Sequence, residues 1–196
     1  DGVNTQIRYR ETEAEPFRPV LTTNFKESVS FAAFTPDNKQ VYAVTNLGRD
    51  KVALVLMDPA TCEEIEQLYV NDKYDLDNIW YSDAQKKLLG VSYTGHKGTA
   101  RHFFDKATGE MFGRMEKHLR GYAIGIAGSN KAEDKYIVYA GGDRTMGTYY
   151  FYDVEADTMT KLADLAPWIE EEQMAEMIPI NYTSRDGLEI EGYLTL

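Results

Sequence analysis

Hydrolysis through a side chain needs a nucleophile beside a base, and a metal site needs clustered His, Cys or carboxylate ligands. The chain offers three histidines, His96, His102 and His118, and a single cysteine, Cys62. The histidines are scattered, with no Cys or carboxylate at ligand spacing beside them, so surface or packing roles are expected for all three. Ser92, Ser129 and Ser184 have no histidine neighbour, which argues against each as a nucleophile. Cys62 cannot form an internal disulfide and reads as an ordinary strand or turn residue. The stretch Gly121–Gly128 (GYAIGIAG) lacks the G-x-G-x-x-G spacing and the strand-to-helix setting of a phosphate loop; an inner strand of small residues explains it better. Asn181-Tyr182-Thr183 has the form of a glycosylation acceptor, a triplet common by chance. Glu63-Glu64 lies beside a turn, and Glu170-Glu171-Glu172 suits the first turn of a helix. No metal or cofactor site is expected.

The elements that would position these residues repeat. Leu21, Leu68, Met115 and Leu162 recur every 47 residues, as do Val44, Val91 and Val138, and Arg10, Asp58, Asp105 and Asp153 follow at 47 or 48. A β-type pattern at that period is the mark of propeller blades. The first complete unit reads as strands Ser28–Thr35, Gln40–Asn46, Val52–Asp58 and Glu63–Val70, separated by turn residues such as Pro36-Asp37-Asn38. The second repeats this order as LDNIWYSD, KLLGVSY and ARHFFD, a turn at Lys106–Gly109, and an outer strand EMFGRM. The third reads YAIGIAG, KYIVYAG, GTYYFYD and TMTKLAD. At the front, NTQIRYR and EPFRPVL match only the last two strands of a unit, and Pro16 and Pro19 suit an edge. The predicted fold class is all-β: a partial β-propeller of about three and a half four-stranded antiparallel blades (1–24, 25–72, 73–119 and 120–166).

A closed propeller has about four to eight blades, so the chain is expected to be a piece of a longer protein. Open blade flanks would expose strand edges, and self-association through them is expected. After Ala166 the register is lost. Pro167-Trp168 precedes Ile169–Met177, which reads as a short helix, and IPINYTS and LEIEGYLTL flank Asp186-Gly187, a hairpin signal.

Composition narrows the partners. Hydrophobic residues make up 43% of 196 and aromatics 12%, too apolar for a disordered chain. The formal net charge of −11 repels phosphate backbones, so no nucleic-acid partner is expected. No apolar run approaches the roughly 18 residues of a membrane helix, so no membrane partner is expected. The opening residues DGVNTQIRYRETEAE have neither a basic n-region nor an apolar h-region.

The run from Pro167 to Leu196 resembles the junction between propeller and catalytic domain in the prolyl oligopeptidase family, especially its acylaminoacyl-peptidase and dipeptidyl-aminopeptidase branch. Tyr182, Ser184, Asp186-Gly187, Ile190 and Gly192-Tyr193-Leu194 carry the likeness. It implies that 1–166 is propeller and that 167–196 is a linker helix with the first strands of an α/β-hydrolase domain. It further implies a parent serine peptidase, cytoplasmic or periplasmic, in which the propeller gates short peptides to a catalytic domain of the same parent chain. The family's nucleophile lies in a G-x-S-x-G elbow, and no such elbow occurs here. No catalytic residue is therefore transferred, and this polypeptide is not expected to cleave peptides itself. Dipeptidyl-peptidases hold the substrate's amino terminus with propeller glutamates, which draws attention to Glu170 and Glu171. Loops on one propeller face meet the hydrolase domain, so Arg144 or Arg49 could touch substrate or domain.

Two other readings of the repeats stay open. One is a non-enzymatic WD-repeat-like or TolB-like scaffold. The other is a propeller enzyme with a central site, which would need converging His, Asp or Glu.

Overall fold

The computed structural model describes residues 3–196. Strands β3 (Val29–Phe34), β4 (Val41–Thr45), β5 (Ala53–Met57) and β6 (Glu64–Tyr69) form a four-stranded antiparallel meander in chain order. A second is built from β10 (Ala123–Ser129), β11 (Lys135–Gly142), β12 (Thr145–Asp153) and β13 (Thr158–Asp164). Between them in sequence, β7 (Leu76–Ser82), β8 (Lys87–Gly95) and β9 (Gly98–Phe103) make a three-stranded sheet that leads into helix α1 (Lys106–His118). The ends are hairpins, β1 (Thr5–Tyr9) with β2 (Arg18–Thr23) and β14 (Met177–Thr183) with β15 (Glu189–Thr195). The all-β fold class holds. Pro19 lies where the β1–β2 register shifts, on a strand with only one neighbour.

The repeat works through turn chemistry. After the first strand of each unit one side chain ties the reversal. The Thr35 hydroxyl accepts from the Gln40 N–H at 3.1 Å, Ser82 accepts from Gln85 at 2.9 Å, and Asn130 accepts from Asp134 and Lys135 at 3.1 and 3.2 Å. The same turns place Asn38, Lys86 and Glu133 at φ of 58°, 52° and 55°. After the third strand an Asp does the tying. Asp58 accepts from Ala60 at 2.7 Å, and Asp153 accepts from Glu155 and Ala156 at 3.1 Å.

Asp105 does the same for the second unit, accepting from Thr108 N–H at 2.9 Å, but the chain then stays helical. The predicted turn Lys106–Gly109 is the first turn of α1, and the predicted outer strand EMFGRM is its body. The other two units leave their turns through left-handed residues, Cys62 (φ 60°) and Asp157 (φ 49°). Gly109 takes no such φ; its N–H bonds to the Asp105 carbonyl at 3.1 Å. The following residues include no β-branched side chain, and Met111, Phe112, Met115 and Leu119 fall on one helical face, all buried.

The predicted linker helix Ile169–Met177 is also corrected. Only Glu171–Gln173 forms a single 3-10 turn, and Met177 already belongs to β14. Glu170 at the entry caps no backbone N–H. Ile178 precedes Pro179, which biases it to extended backbone, and a helix this short is marginal. The Asp186-Gly187 hairpin forms as expected: Ser184 N–H bonds to the Leu188 carbonyl at 2.8 Å and Gly187 N–H to the Ser184 carbonyl at 3.0 Å.

The chain divides into two compact units. One comprises the residues through Thr94 with Ala100–His102, and the other Gly95–Thr99 with Phe103–Leu196. In the first, β5 is buried on both faces. Ala53, Val55 and Met57 join Val41, Ala43 and Cys62 in one apolar cluster, with Ile7 and Leu21 of the first hairpin against it. Leu54 points the other way, into a cluster with Leu76 and Val91. A meander clothed on both sides while β3 and β6 stay largely exposed is how a blade packs. In the second unit Tyr152, Val138 and Met115 are fully buried, and Phe103 meets Phe112 at 5.2 Å.

Candidate functional site

The second unit holds a polar cleft of about 200 Å³ whose floor is the β10–β13 sheet. Thr148 and Tyr150 of β12, Lys161 and Asp164 of β13, and Tyr122 just before β10 line it, and Pro167, Ile169 and Glu171 of the following segment close it. Alternation along β12 puts Thr148 and Tyr150 on the same side of the sheet.

Two ion pairs order the cleft. On the floor, Lys161 Nζ lies 2.8 Å from Asp164, whose other oxygen accepts from the Thr148 hydroxyl at 2.7 Å. Those bonds, Lys161's first and Thr148's second, hold the Asp164 carboxyl below its usual range, and Lys161 is raised by the same partner. At the rim, Tyr122 donates to Glu171 Oε2 at 2.8 Å, while Arg144 lies 3.8 Å from Oε1. The bond to Glu171 raises the Tyr122 phenol, since the proton is shared with a carboxylate.

Of the candidate residues, the structure brings Arg144 and Glu171 together. Glu170 turns away and accepts from the Gln173 amide. Arg49 pairs with Glu64 and donates to Gln67 at 3.1 Å, bonds within the first unit. Tyr122 was not visible as a site residue; it lies 49 positions from Glu171, with no local motif between them.

The histidines lie apart from this cleft. His96, at the β8–β9 tip, faces the Tyr193 ring at 5.5 Å and lies 3.7 Å from Glu191. His102 stacks on Tyr69 at 4.8 Å. His118 ends α1, not an outer strand, and meets Asp157 at 3.2 Å. Ser92 is buried in β8, and Ser184 donates to Asp186 in the last hairpin. Among the described residues no group of three or more His, Cys, Asp or Glu could hold a metal ion, and no helix is long and apolar enough to cross a membrane. In the first unit a wider open groove of about 720 Å³ runs along β3 and β7 past Asn38, Asn78, Tyr81 and Asp83. The cleft thus presents polar and charged groups, and neither a histidine nor a cysteine is among its lining residues.

No family model matches the chain. Dipeptidyl aminopeptidase BIII of Pseudoxanthomonas mexicana is 28% identical over 188 residues, covering 92% of the chain and 25% of that protein. The chain is similar to peptidases of the prolyl oligopeptidase type. It spans about a quarter of the length of that curated relative. A prolyl endopeptidase structure matches 96% of the chain at TM-score 0.62 and 14% identity, over 27% of its own length. Porphyromonas gingivalis dipeptidyl peptidase 4 matches 97% of the chain at 0.58 and 12% identity, again over 27% of its length. Prolyl oligopeptidase B from Galerina marginata matches 91% at 0.58 and 16% identity, over 25% of its length. At these identities the structures speak for the fold alone, a propeller-type stack of antiparallel sheets.

Proposed function

We propose that the chain is the non-catalytic propeller portion of a serine peptidase, gating short peptides on their way to an α/β-hydrolase domain of which these residues hold only the opening strands. The observation that carries this reading is the 28% identity to a dipeptidyl aminopeptidase across 92% of the chain. That sequence likeness to a peptidase favours this reading over a WD-repeat-like or TolB-like scaffold. Gating follows from size: an extended peptide passes an opening that a folded protein cannot. In this reading residues 1–166 are the propeller and 167–196 the linker and opening strands of the hydrolase domain. Glu170, Glu171 and Arg144 are the residues offered for contact with substrate. The Arg144–Glu171 pair would have to open before either could take the charged end of a peptide.

The test assays the full-length protein carrying this chain on aminoacyl- and dipeptidyl-anilides and on peptides of increasing length, beside the 196-residue chain alone. The full-length protein should cleave the anilides and short peptides, slow steeply as peptides lengthen, and leave folded proteins intact. The chain alone should cleave nothing. Glu171→Gln and Arg144→Ala should raise KM with little change in kcat. Turnover by the chain alone, or equal rates on short peptides and folded proteins, would overturn the reading.

A further inference from the structure

The segment from Leu165 to Glu176 is a strap. Leu165 N–H bonds to the Gly147 carbonyl at 2.9 Å, the strap passes over the cleft, and it ends where Met177 N–H donates to Asp143. Of its large apolar side chains only Ile169 is half-buried against the cleft. Trp168 is 78% exposed, and Leu165 and Met174 are also exposed. Beside Ile169, the polar fastening of its middle is the Glu171 carboxylate, held by the Tyr122 hydroxyl at 2.8 Å and the Arg144 guanidinium at 3.8 Å. The remaining turn contacts are internal to the strap: Ile169 N–H to Ala166, Gln173 N–H to Glu170 and Met174 N–H to Glu171.

We infer that this strap is an electrostatic latch over the cleft, closed by Glu171 and opened by weakening one carboxylate. Both partners are partly solvated, with the Arg144 and Glu171 side chains 45% and 32% exposed. Coulomb attraction between such groups is modest and is screened by salt within about 10 Å at 0.1 M. A segment fastened through apolar burial would instead tighten, or stay indifferent, as salt rises. Opening would bare Lys161, Asp164 and Tyr150 of the cleft floor and release Arg144. The strap therefore sets when the cleft can be reached. This holds for the chain itself, whether or not the peptidase reading stands.

The test is limited chymotrypsin digestion of the whole chain, following cleavage after Trp168 by mass spectrometry at low salt and at 1 M sodium chloride. Cleavage at a surface tyrosine elsewhere in the chain corrects for salt effects on chymotrypsin. Cleavage at Trp168 should quicken about three- to tenfold in high salt. Glu171→Gln should give that faster rate already at low salt and abolish the salt response. Tyr122→Phe should fall between, and Glu172→Gln should behave as the unaltered chain. Hydrogen exchange of the peptide 165–176 gives a second readout free of the protease. Rates at Trp168 that ignore both salt and Glu171→Gln would overturn the latch, and no outcome depends on peptide turnover.

Discussion

The Tyr152 hydroxyl donates to Asp157 Oδ1 at 2.6 Å from a ring that is fully buried. The same hydroxyl accepts from Arg114 Nε at 3.1 Å, and His118 approaches Asp157 at 3.2 Å. One phenol thus fastens the end of α1 to the turn between β12 and β13. Tyr152→Phe keeps the ring and removes both bonds, and should cost about 1–2 kcal/mol. Urea unfolding followed by circular dichroism measures it; an unchanged midpoint would show that water replaces the bonds without loss.

Asp157 adds a pH dependence of known sign. The bond from Tyr152 is the largest cause lowering its carboxyl, and His118 and Arg114 act in the same direction. A carboxylate whose folded pKa lies below its unfolded value, about 3.9, stabilises fully above the unfolded pKa. That stabilisation is lost as pH falls through the folded value. Urea midpoints of the chain and of Asp157→Asn should differ near pH 5 and converge in stronger acid. A gap that widens in acid would show the opposite shift.

Helix α1 carries a glycine with room to spare. A Cβ at Gly113 would meet nothing within 4 Å, whereas one at Gly109 would meet the Phe103 ring at 3.3 Å. Gly113→Ala should therefore stabilise the chain by about 0.5–1 kcal/mol. Asp105→Ala should destabilise it by about 1 kcal/mol through loss of the N-cap. Thermal unfolding ranks the three proteins, and Gly113→Ala falling below the unaltered chain would contradict the geometry.

Gly147 is the reverse case. Its φ is +101°, and a Cβ there would lie 2.3 Å from the Tyr139 ring, which is itself tied down by a bond from its hydroxyl to the Met146 carbonyl at 3.0 Å. Gly147→Ala combines left-handed strain with overlap and should cost about 2 kcal/mol or more. Tyr139→Ala in the same chain should recover part of that loss, as measured by a double-mutant cycle in urea.

Self-association is checked by sedimentation. Edge strands and exposed apolar side chains such as Phe34, Ile178 and Leu194 predict a weight-average mass that rises with concentration. A monomer at every concentration would show that those surfaces are inert.

How much of this was legible differs by element. Asp58 and Asp153 stand at repeating positions before residues that favour turns, and their units fold as the repeat implies. Asp105 stands at the same position and makes the same bond, yet opens a helix. The helical spacing of Met111, Phe112, Met115 and Leu119 was present in the sequence. Met115 also keeps the register of Leu68 and Leu162, however, and the longer period masked the shorter one. Glu170 to Glu172 satisfied a helix's charge preference without its cap, so charge alone overstated the helix. The cleft was half legible: Arg144 and Glu171 stood out as charges, but their meeting with Tyr122 depends on how β10 and β12 are paired through β11. No local pattern encodes that.

Cys62 sits at the left-handed turn between β5 and β6, with its thiol pushed up by burial and its side chain among the apolar residues of the first unit. As the chain's sole sulfhydryl it should resist alkylation until that sheet comes apart. A maleimide reagent would then act as a stopwatch for the rupture of one half of the molecule, indifferent to whatever the strap in the other half is doing.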